Sequence, residues 1–230
     1  LIPAQVDFCT PMLLKEVRKT ANEMKAPVST HAGQRIMEFQ EILRKFNKTS
    51  IGFLEDVGLL GPDLIVGHGF FLSGHNWTGY PGDDDIQALA RTGATVAHCP
   101  LVAARTGVGL QSFSRYRRAG VNMAIGTDIW PQDIISEMRW YSLIGKVMSG
   151  DCRAASSLEV FDAATLAGAK ALGRTDLGRL TKGAKADIVI IDVDNFRYPP
   201  TADPIKSLVN AGTCDDVETV IIGGKKLVED

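Results

Sequence analysis

The 230-residue sequence has little of what marks several functional classes. It has no excess of basic charge, with 25 Lys and Arg against 27 Asp and Glu, so nothing in it would draw nucleic acid or an anionic membrane surface. No run approaches the roughly 18 apolar residues of a membrane span. Cysteine is scarce: Cys9, Cys99, Cys152 and Cys214 have no CxxC spacing. They read as reduced thiols of a cytoplasmic protein. The phosphate-cradling patterns GxGxxG, GxxxxGKS and GxxxxGKT are absent, and so is the GxSxG nucleophile elbow, which excludes the common nucleotide-loop and serine-hydrolase chemistries. The sequence opens at Leu1, without a Met or a basic-then-apolar leader. We expect it to be part of a longer chain.

What is present is an ordinary globular composition, 45% hydrophobic and 23% charged. Thr10–Lys25 reads as a helix, with Thr10 as cap, Pro11 in the first turn and Leu13, Val17, Ala21 and Met24 as its apolar face. Helices are also predicted over Ile36–Phe46, Ile51–Gly58, Asp83–Thr92, Leu110–Ala119, Asp133–Val147 and Ser157–Leu172. Three short apolar runs, Val28–Thr30, Leu64–Val66 and Ala94–Ala97, together with Val121–Ile125, read as strands buried on both faces of a parallel sheet. Past Gly183 the character changes. Asp187–Asp192 and Val217–Ile222 are β-rich, and Gly223-Gly224 turns back into Lys226–Val228. We expect one domain over residues 1–183 and part of a second over 184–230.

The strand ends carry the chemistry. His31, His68, His98 and Asp128 each follow a strand, at intervals of 37, 30 and 30 residues, which is the size of a βα unit. In parallel βα architectures that end of the strand holds the active site. Imidazole and carboxylate are common ligands of catalytic Zn²⁺ or Fe²⁺, and a bound metal lowers the pKa of its water toward 7. His75, in the polar loop Ser73–Gly79, reads as a surface or pocket-rim residue. Asp83-Asp84-Asp85 reads as a helix N-terminus, and Arg115, Arg117 and Arg118 as a solvated face. Phe71, Trp77 and Trp130 are candidate pocket-wall aromatics.

The order THAGQ (Thr30–Gln34), IVGHG (Ile65–Gly69), VAHCP (Val96–Pro100), AGVNMAIGTD (Ala119–Asp128) and GRLTKGAKADIVIID (Gly178–Asp192) resembles the C-terminal half of the amidohydrolase superfamily. Within it, the resemblance is to the cytosine deaminase and triazine chlorohydrolase branch. It implies an α/β fold: half of a (β/α)₈ barrel, from the end of strand four to strand eight, with part of a small β-sandwich. It also implies one divalent metal, Zn or Fe, and a homo-oligomer. By the same resemblance His31 and Asp128 are metal ligands, and Asp128 also activates the water. His68 sits against water, metal or substrate, and His98 is structural or substrate-facing. A further HxH ligand pair of the family lies outside this sequence.

Two positions depart from the family pattern. The usual HxxE glutamate is Gln34 here, an amide that hydrogen-bonds but does not exchange protons near neutral pH. Glu38, farther along, is expected to face solvent. Leu101-Val102-Ala103 makes one pocket wall more apolar than usual. The function these residues imply is metal-dependent hydrolysis of a C–N or C–halide bond on a small N-heterocycle, foremost deamination, with Asp128, His68 and Gln34 as catalytic groups and His31, His68 and Asp128 at the metal. The alternative is a catalytically weakened homologue that binds a small molecule without turnover.

Overall fold

The computed structural model describes residues 1–111, 113–194, 197–198 and 203–229. The chain begins alongside its first strand. The Ser29 amide donates to the Leu1 carbonyl at 2.9 Å, and Gln5 bridges His31 in parallel. Helix α1 (Pro11–Met24) starts where Thr10 Oγ1 accepts the Leu13 amide and ends at Lys25 in the left-handed region. Leu14 and Ala21 are buried and Val17 partly so, while Leu13 and Met24 are exposed, so Val17 and Ala21 of the expected apolar face turn inward and its other two residues do not. Then follow β1 (Val28–Ala32), α2 (Ile36–Phe46), α3 (Ser50–Asp56), β2 (Leu64–His68), α4 (Asp84–Thr92, closed by Gly93) and β3 (Thr95–His98).

Beyond β3 the structure differs from the periodicity. A short helix, α5 (Pro100–Arg105), fills the segment directly after His98. Helix α6 (Phe113–Arg118) is shorter than predicted and leads to β4 (Asn122–Ile125). Helix α7 (Ile134–Ser149) is capped by Asp133, whose carboxylate accepts the Ile135 and Ser136 amides. The predicted helix over Ser157–Leu172 is two, α8 (Ser157–Ala164) and α9 (Leu166–Ala171), broken where Thr165 leaves helical geometry at φ −125°, ψ −82°. After β5 (Ile188–Ile191) comes an unpredicted helix, α10 (Pro204–Ala211), then β6 (Val217–Ile222) and β7 (Lys225–Glu229).

Strands β1 to β4 form one sheet in sequence order, every pair parallel. Parallel neighbours need a crossover, and each crossover here is helical; one face of the sheet is buried, but the other, with Ser29, His31, Ile65 and Ala97, is only partly buried, so the strands are not covered on both faces as expected. Val28, Leu64, Val66, Val96 and Met123 join the core with Leu14, Phe39, Ile42 and Leu89. Strands β5, β6 and β7 form a separate antiparallel sheet. All four cysteines are free, two of them buried. Among the described residues, no helix is long and apolar enough to cross a membrane.

Candidate active site

Register fixes where the strand-end residues meet. His31 pairs with Gly67 and Ala32 with His68, so the two imidazoles rise from adjacent strands. Their ring centroids lie 4.9 Å apart. Asp128, just past β4, points its carboxylate between them, with Oδ1 3.7 Å from His31 Nε2 and Oδ2 3.9 Å from His68 Nε2. One ligand atom from each of the three residues falls within a 4.8 Å group. Two backbone features make this possible. His68 (φ 76°) and Asp128 (φ 60°) both adopt the left-handed conformation, which turns the chain sharply off the strand and aims each side chain across the strand ends; it costs a non-glycine residue free energy. At Gly67 a Cβ would stand 2.8 Å from His31 Cδ2, so the absence of a side chain is what lets the His31 ring lie against β2.

The chemistry of the donors fits a borderline divalent cation: two imidazole nitrogens and a carboxylate. His68 supplies a direct observation. Its side chain is fully buried, yet neither ring nitrogen has a hydrogen-bond partner. Burial, opposed by Asp128 and reinforced by His31, pulls its pKa down to about 4. A neutral imidazole with a free lone pair is the form that binds a metal. His98 lies outside this group. It is buried against Phe70 and Tyr141, with centroids 5.1 and 4.7 Å away, and burial lowers its pKa to about 3. Next to it, Glu137 of α7 accepts the Leu101 amide at 3.0 Å, and its other oxygen is buried without a partner. Burial raises this carboxyl to about 7.

Several expectations are corrected here. Glu38 does not face solvent. It is buried, and its two oxygens accept the amides of Gly33 (2.6 Å) and Gln34 (2.9 Å), so the Gln34 backbone is tied to α2. His75 is buried as well, edge-on to Phe71, its Nδ1 accepting the Trp77 amide. Arg115 is no solvated residue; it donates to the carbonyls of Ser73, Gly74 and Gly82 and to Asp83, strapping down the loop after β2. Arg117 and Arg118 are exposed, as expected. Asp83 and Asp84 do open α4, but Asp85 is buried and bonded to Thr49 and Ser73. Trp77 stacks on buried Phe71 and is more than half exposed; Trp130 is more exposed still. The neighbours of the site that sequence reasoning did not single out are Glu137 and Tyr141. Their only signal was a place on the α7 face packed against the 98–101 segment.

A parallel βα sheet with histidine and aspartate at its strand ends defines an α/β protein that keeps its chemistry at the carboxyl edge of the sheet. This chain belongs to the amidohydrolase family, whose profile matches residues 5–227. It is 36% identical over 226 residues to a 5-methylthioadenosine/S-adenosylhomocysteine deaminase of Thermococcus onnurineus, covering 96% of this chain and 51% of that protein. A zinc-bound adenosine deaminase from Xanthomonas campestris superposes over 99% of this chain and 51% of its own, at 27% identity and a TM-score of 0.91. A variant of atrazine chlorohydrolase from Arthrobacter aurescens, solved with zinc and atraton, gives 25% identity and a TM-score of 0.87, over the whole of this chain and 50% of its own. The chain thus spans about half the length of the relatives it matches.

Proposed function

We propose that the chain is the carboxyl-terminal half of a (β/α)₈-barrel aminohydrolase that removes the exocyclic amino group of a purine-type nucleoside. The observation that carries this reading is the cluster of His31, His68 and Asp128 at the carboxyl ends of three strands of one parallel sheet. The named deaminases among the relatives supply the substrate class. On this reading His31, His68 and Asp128 hold one divalent cation, with zinc favoured by the zinc-bound relatives, and chain outside residues 1–230 completes the barrel and the ligand set. When bound, the cation supplies charge that acidifies a water.

The chain's own groups do the rest. Asp128 Oδ takes the water proton as the oxygen bonds to the ring carbon. His68, kept neutral by burial, presents a ring-nitrogen lone pair to the cation. Gln34 hydrogen-bonds the ring but carries no proton, so delivery of a proton to the substrate falls to Asp128 as well. The first water proton stays on the ring nitrogen; the second passes through Asp128 to the amino group as the hydroxyl becomes a carbonyl, the C–N bond breaks, and ammonia leaves. Leu101, Val102 and Ala103, in the first turns of α5, give the pocket an apolar wall.

The test is ammonia release by the full-length, metal-loaded protein from adenosine, 5′-methylthioadenosine, aminopyrimidines and aminotriazines. Release from the 5′-substituted adenosines is expected. Metal-loaded protein that releases none overturns the reading. Gln34 itself favours a second reading, a weakened homologue that binds without turnover; a large gain of hydrolysis in Gln34→Glu would support it.

A further inference from the structure

Glu38 spends a buried charge on a turn. Its carboxylate is 1% exposed, a costly place for a carboxylate unless hydrogen bonds replace its water. Both oxygens are committed, and both to backbone amides of the segment between β1 and α2. The arrangement is not an ordinary cap. Arg35 is the cap residue of α2 and makes no side-chain cap bond. Glu38, the third residue of the helix, reaches past Arg35 to the two residues before it, whereas a capping box would end at the cap amide. The same turn is held from its other side, where the Gly33 carbonyl accepts the amides of Phe70 (2.8 Å) and Phe71 (2.9 Å). Those residues follow His68 by two and three positions. Gly33 sits at φ +66°, and a Cβ there would meet Leu72 Cδ2 at 2.9 Å. The turn that bears Gln34 is therefore gripped between a helix carboxylate and the loop that leaves β2, with no room for a side chain at its centre.

We propose that Glu38 is a positioning residue: its carboxylate fixes the direction in which Gln34 enters the site, and it acts on substrate only through Gln34. The inference rests on the substrate-facing role given to Gln34 above. A Gln at the position of a proton shuttle contributes only by geometry, because its hydrogen bonds must be aimed before they are worth anything. The enzyme thus depends on the clamp more than one in which position 34 acts through proton transfer.

The experiment is a double-mutant cycle in the full-length, metal-loaded protein, with 5′-methylthioadenosine as substrate and ammonia as readout. Glu38→Gln keeps the shape of the side chain but presents an amide nitrogen to one of the two backbone donors. In the Gln34 protein it is expected to lower kcat/KM about tenfold, while metal content stays at the native level. In the Gln34→Ala background, the same Glu38→Gln change is expected to alter kcat/KM less than twofold. Equal losses in both backgrounds, or no loss in either, overturn the inference and leave Glu38 a structural residue. Glu38→Asp, which keeps the charge and shortens the reach, is expected to lose activity in the Gln34 background only. Unchanged activity in this variant would also count against the clamp. A native protein that releases no ammonia overturns the function and this inference with it, and that failure is visible before any variant is made.

Discussion

Leu64-Ile65-Val66 of β2 and Val220-Ile221-Ile222 of β6 are similar runs of aliphatic residues, yet Leu64 and Val66 are wholly buried whereas Ile222 is half exposed. Val189 and Ile190 of β5 and Leu227 and Val228 of β7 are also exposed. The connections differ as well, in a chain that spans about half the length of its relatives. Each parallel pair is joined through helices that fold back onto the sheet, so strand and cover are made together. The antiparallel strands β6 and β7 are joined by a two-glycine turn, which brings no cover. Rigid packing is where the candidate site stands: its imidazoles and carboxylate rise from the strands the helices enclose. Among the described residues, the antiparallel sheet gives the metal cluster no ligand.

That contrast can be tested, starting with the largest effect. Asp128→Asn should lower turnover by about 10³-fold or more, because the proposed function makes the carboxylate both metal donor and proton acceptor; steady-state kinetics on the full-length protein checks this, and near-native turnover would remove Asp128 from the chemistry. Phe39→Ala, in the packed layer beneath β1 and β2, should cost about 3–5 kcal/mol in denaturant titration, whereas Val228→Ala on β7 should cost less than about 1 kcal/mol. Equal costs would erase the distinction between the sheets. Gly67→Ala should leave folding near native, since its backbone is not left-handed, while pushing the His31 ring aside. We expect metal affinity to fall about 10–100-fold by competition with a chelator.

A pH effect concerns Glu137, which links α7 to the segment after β3. Its folded pKa, about 7, lies above the ordinary carboxylate value because of burial, so the folded state holds an extra proton between roughly pH 4.5 and 7. Stability therefore falls as pH rises through that window, by up to about 3 kcal/mol. Glu137→Gln should flatten the dependence, which melting temperature against pH will read.

Much of the parallel sheet was legible because its signals are local. An apolar run followed by histidine or aspartate marks both a strand and its carboxyl end, and the βα interval spaces these ends evenly. The same logic brought His31, His68 and Asp128 together before any geometry was known, although only the family resemblance separated His98 from them. What stayed hidden depends on contacts distant in sequence or on geometry that periodicity does not register. Glu38 looks like any polar helix residue until the turn before it folds back onto its carboxylate. Arg115 looks solvated until the loop some 30 to 40 residues earlier presents its carbonyls. The break at Thr165 interrupts an alanine-rich pattern that would run on as one helix. The short α10 has a capping Asp203 and Pro204 but too few turns for a periodic signal.

The left-handed backbone at His68 and Asp128 has a consequence for how such a chain drifts. Glycine would occupy either conformation at less cost than the residues that do, so the chemistry and the backbone prefer different residues at the same two positions. A lineage that keeps the reaction must carry that cost in every copy, drawing on the margin its packed sheet provides. Glycine in place of Asp128 would relieve the backbone and remove the carboxylate from the cluster, so stability and the candidate site pull in opposite directions at that position.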